Sequence, residues 1–118
     1  MAIPFDIDGN GIIQAFGDCL LIIRYVLGYR GDLLIADVVG AGATRTTAAE
    51  IEGYLSNMYC FFDVDGDGIV SYGDANMIFK YKAGFRGNDL IGDSLPAGAV
   101  RSTAAEIEAY IAQFLVDV

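Results

Sequence analysis

Histidine is absent from this 118-residue sequence, which has only two cysteines, two prolines and seven basic residues. Without histidine or a CxxC pair, the chain lacks the usual nitrogen and sulfur donors of a zinc site. The commonest general base is missing too, and no pairing of nucleophile and base can be picked out. Glu50 with Glu52, and Glu106 with Glu108, read as helix-capping acids followed by solvent-facing ones, so an enzyme is not expected. Seven scattered basic residues make no patch that would neutralise phosphates, which argues against nucleic acid and against anionic lipid as partners. The longest wholly apolar run, Cys19–Ile23, is about five residues, too short to cross a bilayer, so no membrane insertion is expected. The opening MAIPFDIDG has neither the basic nor the apolar region of a signal peptide. Cys19 and Cys60 read as two buried thiols, with a disulfide left open for an extracellular protein.

What is present is acid, unevenly placed. The formal charge is −9, and seven of the sixteen acidic residues fall in two short stretches. These are FDIDGNGIIQAFGD (5–18), with Asp6, Asp8 and Asp18, and FFDVDGDGIVSYGD (61–74), with Asp63, Asp65, Asp67 and Asp74. Removing those seven would take the charge to −2. The acidity thus belongs to two sites rather than to the surface at large. Hydrophobic residues make up 54% of the chain, which argues against disorder.

The two stretches open two copies of one sequence. Residues 18–58 align without a gap to 74–114, and twenty of the 41 pairs are identical. ATRTTAAEIEGY (43–54) answers AVRSTAAEIEAY (99–110), and GYRG (28–31) answers GFRG (84–87). Upstream of Asp18 the first copy carries one extra residue near Gln14–Gly17. The expected fold is all-α: a single domain, 1–118, of two pseudo-symmetric repeats, about 5–58 and about 61–114. Each repeat reads loop, helix, connector, helix. The first helices span 18–28 and 74–84, with Leu20, Ile23, Val26 and Leu27 as a buried face and Gly28 and Gly84 as stops. The second helices span 46–59 and 102–115. They open with Thr47-x-x-Glu50 and Thr103-x-x-Glu106, the pattern of a capping box. Ile51, Tyr54, Leu55 and Met58 line one of them, and Ile107, Tyr110, Ile111 and Phe114 the other. In the connectors, 29–45 and 85–101, Leu34–Ile35 and Leu90–Ile91 plug into the core. No strand longer than a bridge is expected. Arg30-Gly31-Asp32 reads as a helix-end turn, and Tyr25 and Tyr81 as packing.

Alternating carboxylates followed by glycine have a chemical reason to exist. Counting from Asp63, the side chains of Asp65 and Asp67 stand at positions 3 and 5, Gly68 at 6, Ile69 at 7, Ser71 at 9 and Asp74 at 12. That is the spacing of an EF-hand calcium loop, in which positions 1, 3 and 5 converge, position 7 offers its carbonyl and the last acid closes the shell. Val70 would turn inward and bridge to the partner loop. In the first loop Asp6, Asp8 and Asn10 take positions 1, 3 and 5, Ile12 takes 7 and Gln14 takes 9. Position 12 is Gly17, and Asp18 one residue later is the only closing carboxylate. This is either a thirteen-residue loop with a bulge at Ala15–Phe16 or a loop that no longer binds metal. Two Ca²⁺ sites are expected, with Mg²⁺ the main competitor.

DIDGNG and DVDGDG, each closed by aspartate and followed directly by a helix, resemble the calcium-binding repeats of dockerins. The resemblance covers the loops and the helices after them, about a third of the chain. It implies a secreted or cell-surface, non-catalytic module that attaches a larger extracellular protein to a cohesin-like or other surface protein. In dockerins partner choice lies just before the closing aspartate, here Ala15–Phe16 and Tyr72–Gly73. The copies here are longer than a dockerin repeat, because each adds the TAAEIE helix. A calcium-stiffened spacer is the alternative. A calcium sensor is a weaker one, because only Met1, Met58 and Met77 are available for the Met-rich groove it would open.

The spare helix at the end, 102–115, is expected to dock beside the first loop and its helix, in place of the entering helix that loop lacks. That arrangement would set Phe5 where Phe62 sits, relate the four helices by a pseudo-two-fold axis and bring the termini together.

Overall fold

The computed structural model describes residues 4–92, 95–96 and 98–114. Its elements follow from short local rules. A wide π-turn, Ala15–Cys19, leads directly into α1, Leu20–Val26. The chain continues through α2 (Asp32–Ile35), α3 (Ala48–Asn57), a 3₁₀ turn (Tyr59–Phe62), α4 (Tyr72–Lys82), α5 (Asn88–Ile91) and α6 (Ala104–Ala112). No strand or β-bridge occurs among the described residues, so Val70, half-buried, makes no bridge there.

Both capping boxes form. Glu50 donates its N–H to the Thr47 hydroxyl and returns its carboxylate to the Thr47 N–H, and Glu106 and Thr103 do the same. Gly28 and Gly84 sit at φ +99° and +106°, and each ends its helix with a pair of bonds. Gly28 donates to Tyr25 and Tyr29 to Arg24; Gly84 donates to Tyr81 and Phe85 to Lys80. This is the Schellman closure that a residue without Cβ permits.

The connectors hold more structure than expected. Leu34 and Leu90 are fully buried, but they reach the core on four-residue helices, α2 and α5. Arg24 caps the end of α2 through the carbonyls of Leu34 and Ala36. Glu52 and Glu108 do not face solvent freely. Each accepts the N–H of the glycine that opens the short helix, Gly31 or Gly87, at 2.8 Å. Arg30 folds back over the Tyr25 ring and donates to the Tyr25 and Tyr29 carbonyls, and Arg86 does the same at Tyr81. The Arg-Gly-Asp tripeptide is therefore a helix-end turn, and an arginine covers one face of each tyrosine.

Helices α1, α2 and α3 pack on one another, as do α4, α5 and α6, and α1 joins the two sets by packing on α4. The radius of gyration is 13.4 Å. Between them lies one core, which includes Phe5, Ile22, Leu55, Phe62, Met77 and Ile111. Phe5 and Phe62 are both fully buried, with ring centroids 5.9 Å apart.

Three further expectations need correction. The buried face of α1 is Leu21 and Ile22; Leu20, Ile23 and Val26 are half-buried and Leu27 is exposed. The equivalent positions of α4, Ala75, Met77 and Ile78, are buried as well, and α1 and α4 pack on each other, so tertiary packing rather than the run of apolar residues sets the buried face. Cys60 is exposed; only Cys19 is buried, where desolvation pushes its thiol up to about 12. The main packing partners of α6 are α4 and α5, which precede it in the chain, rather than the first-loop helix, and its buried residues are Ile107 and Ile111. At its end, Phe114 does reach Phe5, at 5.4 Å. The expected closeness of the termini falls on residues outside those described.

Candidate metal centre

Each acidic loop curls by the same device. A carboxylate accepts the N–H of a residue further along, so the backbone bends around it. Asp6 accepts from Gly11 at 3.1 Å, Asp8 from Asn10 at 3.2 Å and Asn10 from Ile12 at 3.0 Å. In the second loop Asp63 accepts from Gly68, Asp65 from Asp67 and Asp67 from Ile69, each at 3.0 Å. Gly11 and Gly68, at position 6, stand at φ +87° and +89°, where a side chain would be strained. The closing acids tie the loop ends together. Asp18 accepts the N–H groups of Asp8 and Gln14, and Asp74 those of Asp65 and Ser71.

The result is two compact acidic clusters. Carboxylate oxygens of Asp63, Asp65, Asp67 and Asp74 lie within 4.8 Å of one another, and so do those of Asp6, Asp8 and Asp18. Asp18 therefore joins its loop although it stands one residue late. The π-turn absorbs the extra residue and returns the carboxylate to the cluster. The Asn10 and Gln14 side chains border the first cluster, since a Cβ placed on Gly40 would lie 2.7 Å from Asn10 Nδ2 and 3.2 Å from Gln14 Oε1. Ile12 and Ile69 are exposed, as suits residues expected to offer only a carbonyl. The Ser71 hydroxyl is turned to Asp74, at 3.2 Å.

Packing acids this closely has an electrostatic cost. Burial, reinforced by neighbouring carboxylates, pushes Asp18 and Asp65 up to about 7 and raises Asp6 and Asp74 as well. Asp67, at the surface, is instead lowered by the N–H of Ile69. Among the described residues, three buried oxygens have no hydrogen-bond partner: Asp6 Oδ1, Asp63 Oδ1 and Asp65 Oδ2. Asp65 is fully buried and Asp6 nearly so, at 6% exposure. Orphaned buried acceptors are rare in folded proteins and ask for a compensating group. Hard oxygens converging in this way fit a divalent cation, so both clusters can hold a metal ion.

The connectors cover the loops, a contribution that no local pattern announced. Gly40 donates its N–H to Asp8 Oδ2 at 2.8 Å. Thr44 and Arg45 both donate N–H groups to the Asp8 carbonyl at 2.9 Å, and Val100 and Arg101 do so to the Asp65 carbonyl at 2.8 Å. The Arg45 guanidinium reaches the carbonyls of Ile7 and Asp6 at 2.6 and 2.7 Å, and Arg101 those of Val64 and Asp63. Behind them, Arg45 lies 3.7 Å from the centre of the Tyr54 ring and Arg101 lies 4.0 Å from that of Tyr110. The signal that could have found the arginines and tyrosines was their identity in both copies of the sequence, Arg45 with Arg101 and Tyr54 with Tyr110. No helix among the described residues is long and apolar enough to cross a membrane. Comparisons of this chain with protein-family models, with curated proteins and with solved structures find no match.

Proposed function

We propose that the chain is a non-catalytic, dockerin-like calcium module, built as two pseudo-symmetric repeats, that attaches a larger extracellular protein to a cohesin-like or other surface partner. The observation that carries the calcium reading is the set of orphaned oxygens on Asp6, Asp63 and Asp65 inside two converging clusters. Ca²⁺ accepts six to eight hard oxygens in flexible geometry, which suits loops offering carboxylates, a backbone carbonyl and water positions. Mg²⁺ demands a stricter octahedron and keeps its waters. The ligands would be Asp6, Asp8, Asn10, the Ile12 carbonyl, Gln14 through water and Asp18 in one loop. In the other they would be Asp63, Asp65, Asp67, the Ile69 carbonyl, Ser71 through water and Asp74.

Attachment rather than a bare spacer is favoured by the exposed apolar side chains beside the loops: Ile12 and Phe16 at the first, Ile69 and Tyr72 at the second. The test has two arms. Calcium added to the stripped chain should raise its melting temperature, by linkage to the folded state. A melting curve indifferent to calcium and chelator would sink the metal reading. Capture of a surface protein from the native secretome in calcium, lost in chelator, supports attachment; equal capture in both would leave a spacer.

A further inference from the structure

We infer that the helix added to each copy is part of that copy's ion site, with Arg45–Tyr54 and Arg101–Tyr110 as positioning pairs for the two loops. The inference rests on the calcium reading above. Positions 1, 2 and 3 of each loop present three successive carbonyls, and the connector takes all of them. Asp6 and Ile7 bond the Arg45 guanidinium, and Asp8 bonds the N–H groups of Thr44 and Arg45. Asp63, Val64 and Asp65 meet Arg101 and Val100 in the same way. With these carbonyls held toward the connector, the carboxylates of positions 1 and 3 are left to face the cluster, where their oxygens lie within 4.8 Å of the closing acid's.

The arginine is suited to this by its rigid planar fork, and the tyrosine of α3 or α6 fixes the plane of that fork by stacking. Tyr110 is itself anchored, its hydroxyl donating to the Phe61 carbonyl just before the second loop at 3.0 Å. Gly9 allows the close approach in the first loop, since a Cβ there would meet Thr44 Oγ1 at 2.1 Å. A lysine at either arginine position would supply charge without the fork.

The experiment uses the full chain with one loop disabled at a time. In an Asp6→Ala background, Arg101→Lys should weaken calcium binding about tenfold by calorimetry, while Arg45→Lys changes it less than about twofold. In an Asp63→Ala background the two effects should exchange. A purely structural arginine would lower stability in chelator and leave the affinity of the remaining loop unchanged, which overturns the inference. Amide exchange on the unsubstituted chain needs no variant to fold. Calcium should slow exchange at Thr44, Arg45, Val100 and Arg101 together with the loop amides. Protection confined to the loops would overturn the positioning role while leaving calcium binding intact, whereas no calcium effect anywhere would overturn both.

Discussion

Pro96→Ala would give the connector of the second loop a backbone N–H that it lacks. Pro96 aligns with Gly40, and the two segments make the same turn: Ala43 donates to the Gly40 carbonyl at 3.3 Å and Ala99 to the Pro96 carbonyl at 3.2 Å. In the first loop the Gly40 N–H satisfies Asp8 Oδ2, whereas in the second Asp65 Oδ2 is buried without a partner. A hydrogen bond to a charged acceptor contributes about 1.5–3 kcal/mol. Losing the stiffness of proline in the unfolded chain costs about 0.4–1 kcal/mol. The calcium-free protein should therefore gain about 1–2 kcal/mol, a rise in melting temperature of about 4 °C per kcal/mol. Calcium should gain less from the second loop, because the bound ion no longer relieves an orphan. A loss of about 1.4 kcal/mol is a tenfold weaker Kd. Scanning calorimetry in chelator and calcium titration of the Asp6→Ala background read the two effects. The variant is thus expected to melt higher without calcium and to bind calcium less well. A lower melting temperature in chelator, or an unchanged Kd, would refute the reasoning.

The metal-free chain should be more stable in mild acid than at neutral pH. Asp18 and Asp65 titrate near 7 when folded, against about 3.9 for an unperturbed aspartate, so the folded state binds more protons between those values. Stability is then highest near the lower end and falls as pH rises through the folded value. Melting in chelator at pH 5 and at pH 7.5 checks this, and a higher melting temperature at pH 7.5 would contradict it. Leu34→Ala should cost about 2–5 kcal/mol by urea unfolding, while its neighbour Leu33→Ala, at a 72% exposed position, should stay within about 0.5 kcal/mol.

The features legible in the sequence are those whose cause is local. Alternating aspartates with glycine at position 6 announce a curled loop because each carboxylate bonds an N–H a few residues away. Thr47 with Glu50 announces a helix start for the same reason. The connector's hold on the loops was not legible, because Arg45 and Ile7 are 38 residues apart and no period marks such a pair. Helices α2 and α5, at four residues each, are shorter than any window in which a helical period can be counted. The face of α1 is not legible in its own sequence, because Leu20 to Ile23 are all apolar and the packing of α1 on α4 decides which of them are buried. Glu52 and Glu108 bond glycines 21 residues away, and in the sequence only their recurrence in both copies hints at a partner.

The π-turn ahead of α1 is where the first copy of the sequence carries its extra residue. A residue inserted beside a ligand would ordinarily displace it, yet here the backbone stores the surplus and the carboxylate of Asp18 stays in register. The surplus surfaces elsewhere, as Phe16 at 76% exposure, edge-on to Phe79 at 5.2 Å, where it spans the junction between the first loop and α4. A duplicated chain whose copies matched residue for residue would offer a visitor two interchangeable approaches. The stored residue adds to the differences between the two copies, setting an exposed aromatic at the closing end of the first loop while leaving both acidic clusters intact.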